Sequence, residues 1–242
     1  MKTAEYRRMY QAEERQWWYS GQRAIALALL TAARQPAPLR LLDAGCGTGY
    51  NLVALARFGR AIGLDLSPEA IRFCRARGVA ALRGSVLRLP FRDACFDVVT
   101  SFDVLYHAWV TDDRAAVAEM ARVLRPDGFV LVRVPALRAL WGAHDLEVQS
   151  RHRYARSELV ALLGSCGLHV ERATYCNSIL LPLLFARRSL DRAIGREGSD
   201  VGFLPAPFER AFGAALRAEA ALVRRGVSFP LGASVVALAR KR

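Results

Sequence analysis

The stretch LLDAGCGTGYN, residues 41–51, constrains the fold more than any other. An apolar run reaches Asp43, and Gly45, Gly47 and Gly49 then alternate with other residues before a helical pattern begins. Glycines there let the backbone turn tightly and let a ligand come close to the main chain. The helix that follows points its N-terminus at the same ligand. A second apolar run, AIGLDLS (61–67), carries Asp65, twenty residues after Gly45. At that distance a carboxylate can accept hydrogen bonds from both hydroxyls of a ribose. Strand, glycine turn, helix and acid together describe a βαβ unit that holds a nucleotide-like ligand at its open end.

From residue 39 onward, strand-like apolar runs alternate with helical stretches, the mark of a parallel sheet. Strands are expected at 39–45, 61–67, 79–85, 96–103, 129–135, 168–176 and 233–240. Helices are expected at 52–59, after the Ser67-Pro68 cap, and at 115–124 and 157–167. More than fifty residues separate the sixth and seventh strands, where a hairpin would suffice. Two helical patterns, SILLPLLFARRSLDRAIG and PFERAFGAALRAEAALVRR, fill that gap as an insertion over 178–230. The expected fold is α/β: a Rossmann-like, seven-stranded, mostly parallel sheet with helices on both faces. Residues 1–242 form a single domain, with an N-terminal helical arm over 1–36.

A chain that is 53% hydrophobic over 242 residues can bury one sizeable core. The five cysteines, at 46, 74, 95, 166 and 176, form no C-x-x-C pair, which reads as reduced thiols in a cytoplasmic protein. The apolar run AIALALLTAA (24–33) lacks the flanks of a signal peptide and is too short to span a bilayer, so it reads as a core helix. The formal charge of +13 invites a nucleic-acid reading. Lys2 and Lys241 are the only lysines, however, and the arginines are spread along the whole chain. That is a compositional habit rather than a binding stripe, and no nucleic-acid partner is expected.

The spacing G-x-G-x-G, preceded by Asp43, differs from the G-x-G-x-x-G of dinucleotide sites. It resembles motif I of the class I S-adenosylmethionine-dependent methyltransferases. The resemblance continues through IGLDLSPEAI (62–71), LRLPFRDACFDVVTSFDVLYH (87–107) and EMARVLRPDGFVLVRVP (119–135), and covers roughly 38–177. It is similar to the type 11 branch that includes the quinone-biosynthesis methyltransferases. The resemblance implies S-adenosylmethionine as cofactor. It implies that Asp43, Gly45, Cys46, Gly47, Gly49 and Asn51 hold the methionine part, and Asp65 the ribose. It further implies that Leu66 covers one face of the adenine, that Ser85 and Val86 border its amino group, and that Phe102 and Asp103 lie beside the methionine end. Ser85 departs from the family, which commonly has Asp there; a neutral hydroxyl is the weaker acceptor.

Alignment of acceptor and methyl group is the enzyme's main task in such a transfer, with a base added if the acceptor must lose a proton. His107 is the candidate base, and Asp103 shares its face if the segment is helical. Tyr106 stands where related quinone-pathway enzymes tend to have an acid in a metal-assisted site, so no metal is expected. HDLEVQSRHRY (144–154) reads as an acceptor-binding loop, with His144 and Tyr154 as further catalytic candidates beside Asp145, Arg151 and Arg153. In RQWWYSGQR (15–23), Trp17, Trp18 and Tyr19 cannot share one helix face. They either close over the cofactor, Trp18 offering a π face to the sulfonium, or anchor the arm in the core. SILLPLLFARRSLDR (178–192) sets an apolar face beside Arg187, Arg188 and Arg192. That face fits a membrane surface or a lipid-like acceptor, or packing on its own protein or a dimer mate, the chain being monomer or homodimer. The expected function is methyl transfer to oxygen or nitrogen of a small-molecule acceptor. The rivals are an RNA methyltransferase, supported by charge, and a non-catalytic S-adenosylmethionine-binding module.

Overall fold

The computed structural model describes residues 3–33, 38–193 and 204–242. Its seven strands are β1 (Leu39–Ala44), β2 (Gly59–Asp65), β3 (Ala81–Arg83), β4 (Phe96–Phe102), β5 (Leu124–Pro135), β6 (Leu168–Cys176) and β7 (Ser234–Lys241). They form one sheet in the order β3-β2-β1-β4-β5-β7-β6. β7 runs antiparallel to both its neighbours, and the other pairings are parallel. The central strands are apolar without alternation because helices cover both faces of the sheet.

All seven expected strands are present. β3 is shorter than its pattern, three residues instead of seven, with Gly84 beyond its end. β5 starts five residues earlier than expected, at Leu124, because Phe96 pairs with Leu124 ahead of an irregularity in the ladder. The Pro126-Asp127-Gly128 turn lies inside that irregularity, with Asp127 in the left-handed region.

The helices are α1 (Thr3–Ala12), α2 (Trp17–Ala32), α3 (Tyr50–Leu55), α4 (Pro68–Ala76), α5 (Asp113–Val123), α6 (Ala143–Glu147), α7 (Arg156–Ser165), α8 (Leu181–Ala193) and α9 (Ala206–Arg224). The expected helix at 52–59 is α3 followed by a 3-10 turn over Ala56–Phe58. Ser67 caps α4, its hydroxyl accepting the amides of Glu69 and Ala70 at 3.2 and 3.5 Å. The arm and the late insertion join on one face: α2 and α9 pack so closely that a Cβ at Gly21 would stand 2.3 Å from Leu216 Cδ1. AIALALLTAA lies in α2 and supplies that face's core through Ile25, Leu29 and Leu30. Residues 1–2 and 34–36 of the expected arm, residues 194–203 of the expected insertion and the side chain of Arg192 lie outside the described residues. Among the described residues, no helix is long and apolar enough to cross a membrane.

The strand order places β1 beside β4, while the chain leaves them toward opposite edges of the sheet. Side chains beyond the carboxyl ends of these two strands therefore face a crevice that no crossover helix fills.

Candidate cofactor and acceptor site

The glycine turn opens that crevice. Gly45, Gly47 and Gly49 adopt φ of +89°, +55° and +88°. A Cβ at Gly45 would stand 2.2 Å from Val104 Cγ2, and one at Gly49 would stand 2.8 Å from Val79 and 2.9 Å from Cys74 Sγ. Larger residues are excluded at both by strain and by contact. Asp65, at the end of β2, is buried; its Oδ2 accepts the Gly47 amide and its Oδ1 the Ser67 amide, each at 2.9 Å. Burial raises its pKa, and those amides pull it back. Tyr6 of α1 also donates its hydroxyl to Oδ1, at 3.3 Å.

A cavity of about 470 Å³ runs from this carboxylate past the ends of β1, β4 and β5 to α6 and α8. Small-molecule sites fall in this size range. Of the expected cofactor residues, Trp18, Gly45, Cys46, Gly47, Asn51, Asp65, Phe102 and Asp103 line it, as do His107 and His144. Asp43, Gly49, Leu66, Ser85 and Val86 do not. Asp43 is fully covered: Thr100 donates to its Oδ1 at 2.6 Å, and among the described residues its Oδ2 has no partner. Burial pushes its pKa up to about 7. Ser85 Oγ accepts the Leu87 amide at 3.2 Å, Val86 is buried in the core, and Leu66 is exposed outside the enclosed cavity.

Asp103 and His107 do not share a helix. Asp103 takes φ of +58°, donates its amide to the Arg133 carbonyl at 2.9 Å, and is paired with the Arg133 guanidinium, whose Nε lies 3.1 Å from Oδ2. Residues 104–107 then form a turn. His107 is buried between Tyr106 and Trp109, with ring centroids 4.3 and 5.4 Å away, and its Nδ1 lies 2.7 Å from the Val148 carbonyl oxygen. Burial holds its pKa down at about 4.

The 144–154 loop divides in two. His144, Asp145 and Arg153 line the cavity. Tyr154 does not, which corrects the catalytic expectation: it is buried in the core, and its hydroxyl donates to Asp113 Oδ2 at 2.7 Å. Burial and that carboxylate drive its pKa up. Its ring is the apolar part of the loop, and it fixes the segment to α5. Arg151 pairs with the same Asp113, at 3.2 Å.

The aromatic trio also divides. Trp17 packs edge-on against Phe212 of α9 at 5.2 Å, and its amide donates to Glu209 at 2.9 Å, so it anchors the arm. Trp17, Trp18 and Tyr19 all line the cavity. The cover over the glycine turn is α1, which sequence reading passed over. Tyr6 reaches Asp65, and the Met9 methyl lies where a Gly47 Cβ would point, 2.8 Å from it. Glu13 accepts the Thr48 hydroxyl and pairs with Arg77 at 2.7 Å. Tyr10 stacks on Phe73 at 4.5 Å. The signal was available: Tyr6, Met9, Tyr10 and Glu13 recur at helical spacing, one face of one helix.

The profile of a methyltransferase domain matches residues 42–132, the span from β1 to β5 that builds the crevice. Over that span the chain resembles the S-adenosylmethionine-dependent methyltransferases. A probable S-adenosylmethionine-dependent methyltransferase of Mycolicibacterium smegmatis is 34% identical over 165 residues, 66% of this chain and 62% of its own length. A malonyl-[acyl-carrier protein] O-methyltransferase of Serratia marcescens is 34% identical over 154 residues, 61% of this chain and 60% of its own. A tRNA (carboxymethyluridine(34)-5-O)-methyltransferase of Arabidopsis thaliana is 38% identical over 95 residues, 39% of this chain and 23% of its own. The chain thus spans less than two thirds of each of these relatives. In fold it resembles a SAM-dependent methyltransferase of Thermotoga maritima, with a TM-score of 0.61 and 20% identity over 99% of this chain and 96% of that one.

Proposed function

We propose that this methyltransferase transfers the methyl group of S-adenosylmethionine to an oxygen or nitrogen of a small-molecule acceptor. The observation that carries the reading is one cavity that joins Asp65 and the glycine turn to a chamber walled by Trp18, Tyr106, His107 and Trp109. The cofactor supplies a methyl group already activated on a sulfonium. The chain's own residues bind, align and dry the reaction. Asp65 takes the ribose hydroxyls, exchanging Tyr6 for them, and the amides of the glycine turn and Asn51 hold the methionine part. Phe102, Trp18 and Tyr19 offer aromatic faces to the sulfonium, a favourable setting for a cation. The acceptor half then positions a nucleophile in line with the methyl group, where correct placement supplies most of the rate.

The malonyl relative supports an oxygen acceptor, and the tRNA relative supports an RNA one. The small molecule is favoured because α8 and the arm wall in the chamber. Some arginines are also occupied by the protein's own acids: Arg77, Arg133 and Arg153 are buried in such pairs, and Arg122 and Arg125 pair at the surface. The test is release of S-adenosylhomocysteine on mixing enzyme and cofactor with either a small-molecule cell extract or purified total RNA. Turnover with the extract supports the reading, turnover with RNA alone replaces it, and binding without turnover on either leaves a cofactor-binding module.

A further inference from the structure

Beside the glycine turn the cavity wall carries a cation with no acid paired to it among the described residues. Arg23 lies on α2 one turn after Tyr19, and both line the cavity together with Gly47 and Asn51. Its guanidinium stacks on the Tyr50 ring, with Cζ 4.3 Å from the centroid. One N–H, on Nη2, donates to the Glu13 carbonyl oxygen at 3.0 Å. Burial in the wall draws the pKa of the guanidinium down, and Glu13 is close enough to act on its charge. The Glu13 carboxylate, however, already takes the Thr48 hydroxyl and the Arg77 guanidinium, the latter at 2.7 Å. Arg77 approaches the same Tyr50 ring at 5.0 Å and is engaged elsewhere too, donating to the carbonyls of Thr48 and Tyr10 at 2.9 and 3.0 Å. Two guanidinium groups thus stand beside one acid, and a positive charge is left over. Arg133 and Arg153, which line the same cavity, are by contrast paired with Asp103 and Asp145. Holding a charge out of water without a counterion is costly, so the wall favours a ligand that brings a negative one.

We propose that Arg23 holds the carboxylate of the cofactor's methionine part and so selects cofactors that keep this group. The inference rests on the S-adenosylmethionine reading above and adds a residue to it. A guanidinium presents parallel N–H groups that match the two oxygens of a carboxylate. The Glu13 carbonyl uses one donor and leaves others for the ligand. At this end of the cavity the glycine turn offers neutral amides and Asp65 is itself an anion, so Arg23 supplies the charge that a carboxylate requires. α2 keeps the guanidinium in place: the helix is locked to α9 through Trp17 and Gly21, and the Tyr50 ring supports the fork.

The test compares three nucleosides by calorimetry: S-adenosylhomocysteine, its decarboxylated form, and 5′-methylthioadenosine, which lacks the amino-acid part altogether. Wild type is expected to bind S-adenosylhomocysteine about tenfold or more tightly than its decarboxylated form, the scale of a hydrogen-bonded charge pair. Arg23→Gln should weaken S-adenosylhomocysteine by about the same factor and leave the other two within about threefold. Arg23→Lys should keep part of the preference. Arg23→Met retains the stem that lies on Tyr50 and takes the place of Arg23→Gln should that variant not fold. Binding of 5′-methylthioadenosine by a variant shows that its glycine turn is intact, and a loss confined to the carboxylate-bearing ligand supports the proposal. Equal weakening of all three ligands would overturn it and leave Arg23 as a support for Tyr50 and Glu13. Equal wild-type affinity for S-adenosylhomocysteine and its decarboxylated form would overturn it as well. Wild type that binds none of the three would instead overturn the S-adenosylmethionine reading beneath.

Discussion

At neutral pH His107 is an uncharged imidazole, because burial holds its pKa down at about 4. Its ring resonances should therefore not titrate between about pH 6 and 8 in a pH series by NMR, where an ordinary histidine would. A hydroxyl acceptor relying on this residue as base would lose about 100-fold in turnover on His107→Gln. An acceptor that needs no base predicts a loss of roughly tenfold or less, from packing alone. Asp43 carries the second prediction at this scale. Its folded pKa, pushed up to about 7 by burial, lies above its unfolded value, so the folded state holds more protons between about pH 4 and 7. Its contribution to stability is lost as pH rises through that window. Urea unfolding at about pH 5 and pH 8 should show Asp43→Asn gaining on the wild type by roughly 2–4 kcal/mol at the higher pH. An unchanged difference would mean that the carboxylate is solvated. The identities and spacing of Asp43, Asp65 and His107 were legible in the sequence. Their partners were not, because Thr100, Tyr6 and Val148 lie 57, 59 and 41 residues away along the chain.

At the scale of elements, the N-terminal arm performs two tasks with two helices. Trp17 opens α2 and locks it to α9, whereas α1 lies over the glycine turn through Tyr6 and Met9. Trp17→Ala should lower stability by about 3–5 kcal/mol, the cost of emptying a large buried ring, while cofactor affinity changes little. Removing residues 1–12 should do the opposite, leaving the thermal transition nearly in place and weakening cofactor binding about tenfold or more. Equal effects of the two changes on both quantities would refute this division. The aromatic trio located the arm in the sequence but left its task open. Helix neighbours lie about 100° apart, so adjacent rings must face different surroundings. Which ring meets the core depends on α9, almost two hundred residues on. Tyr154 misled for a related reason: a polar loop hid one ring that turns inward onto Asp113.

Over the whole molecule, the topology follows from alternating apolar runs and helical patterns, which is why every strand was legible. The reversal of β7 was legible only through the hairpin order expected of its last two strands, since a strand buried on both faces reads alike in either direction. The charge of +13 is another whole-chain property whose consequence depends on where it sits. With the arginines spread along the chain and Arg77, Arg133 and Arg153 bound to its own acids, RNA affinity should be weak and non-specific, and a titration with total RNA should show it fading steeply as salt rises. The central claim is that the crevice beyond β1 and β4 binds S-adenosylmethionine through the glycine turn and Asp65. Isothermal calorimetry of S-adenosylmethionine, S-adenosylhomocysteine and NAD against wild type and Asp65→Ala tests it most directly. The account predicts one-to-one binding of the first two ligands and none of NAD at comparable concentration. It also predicts a loss of roughly 1.5–3 kcal/mol in the variant, the scale of hydrogen bonds to a charged group. Equal affinity in wild type and variant, or NAD binding as tightly as S-adenosylmethionine, would contradict it.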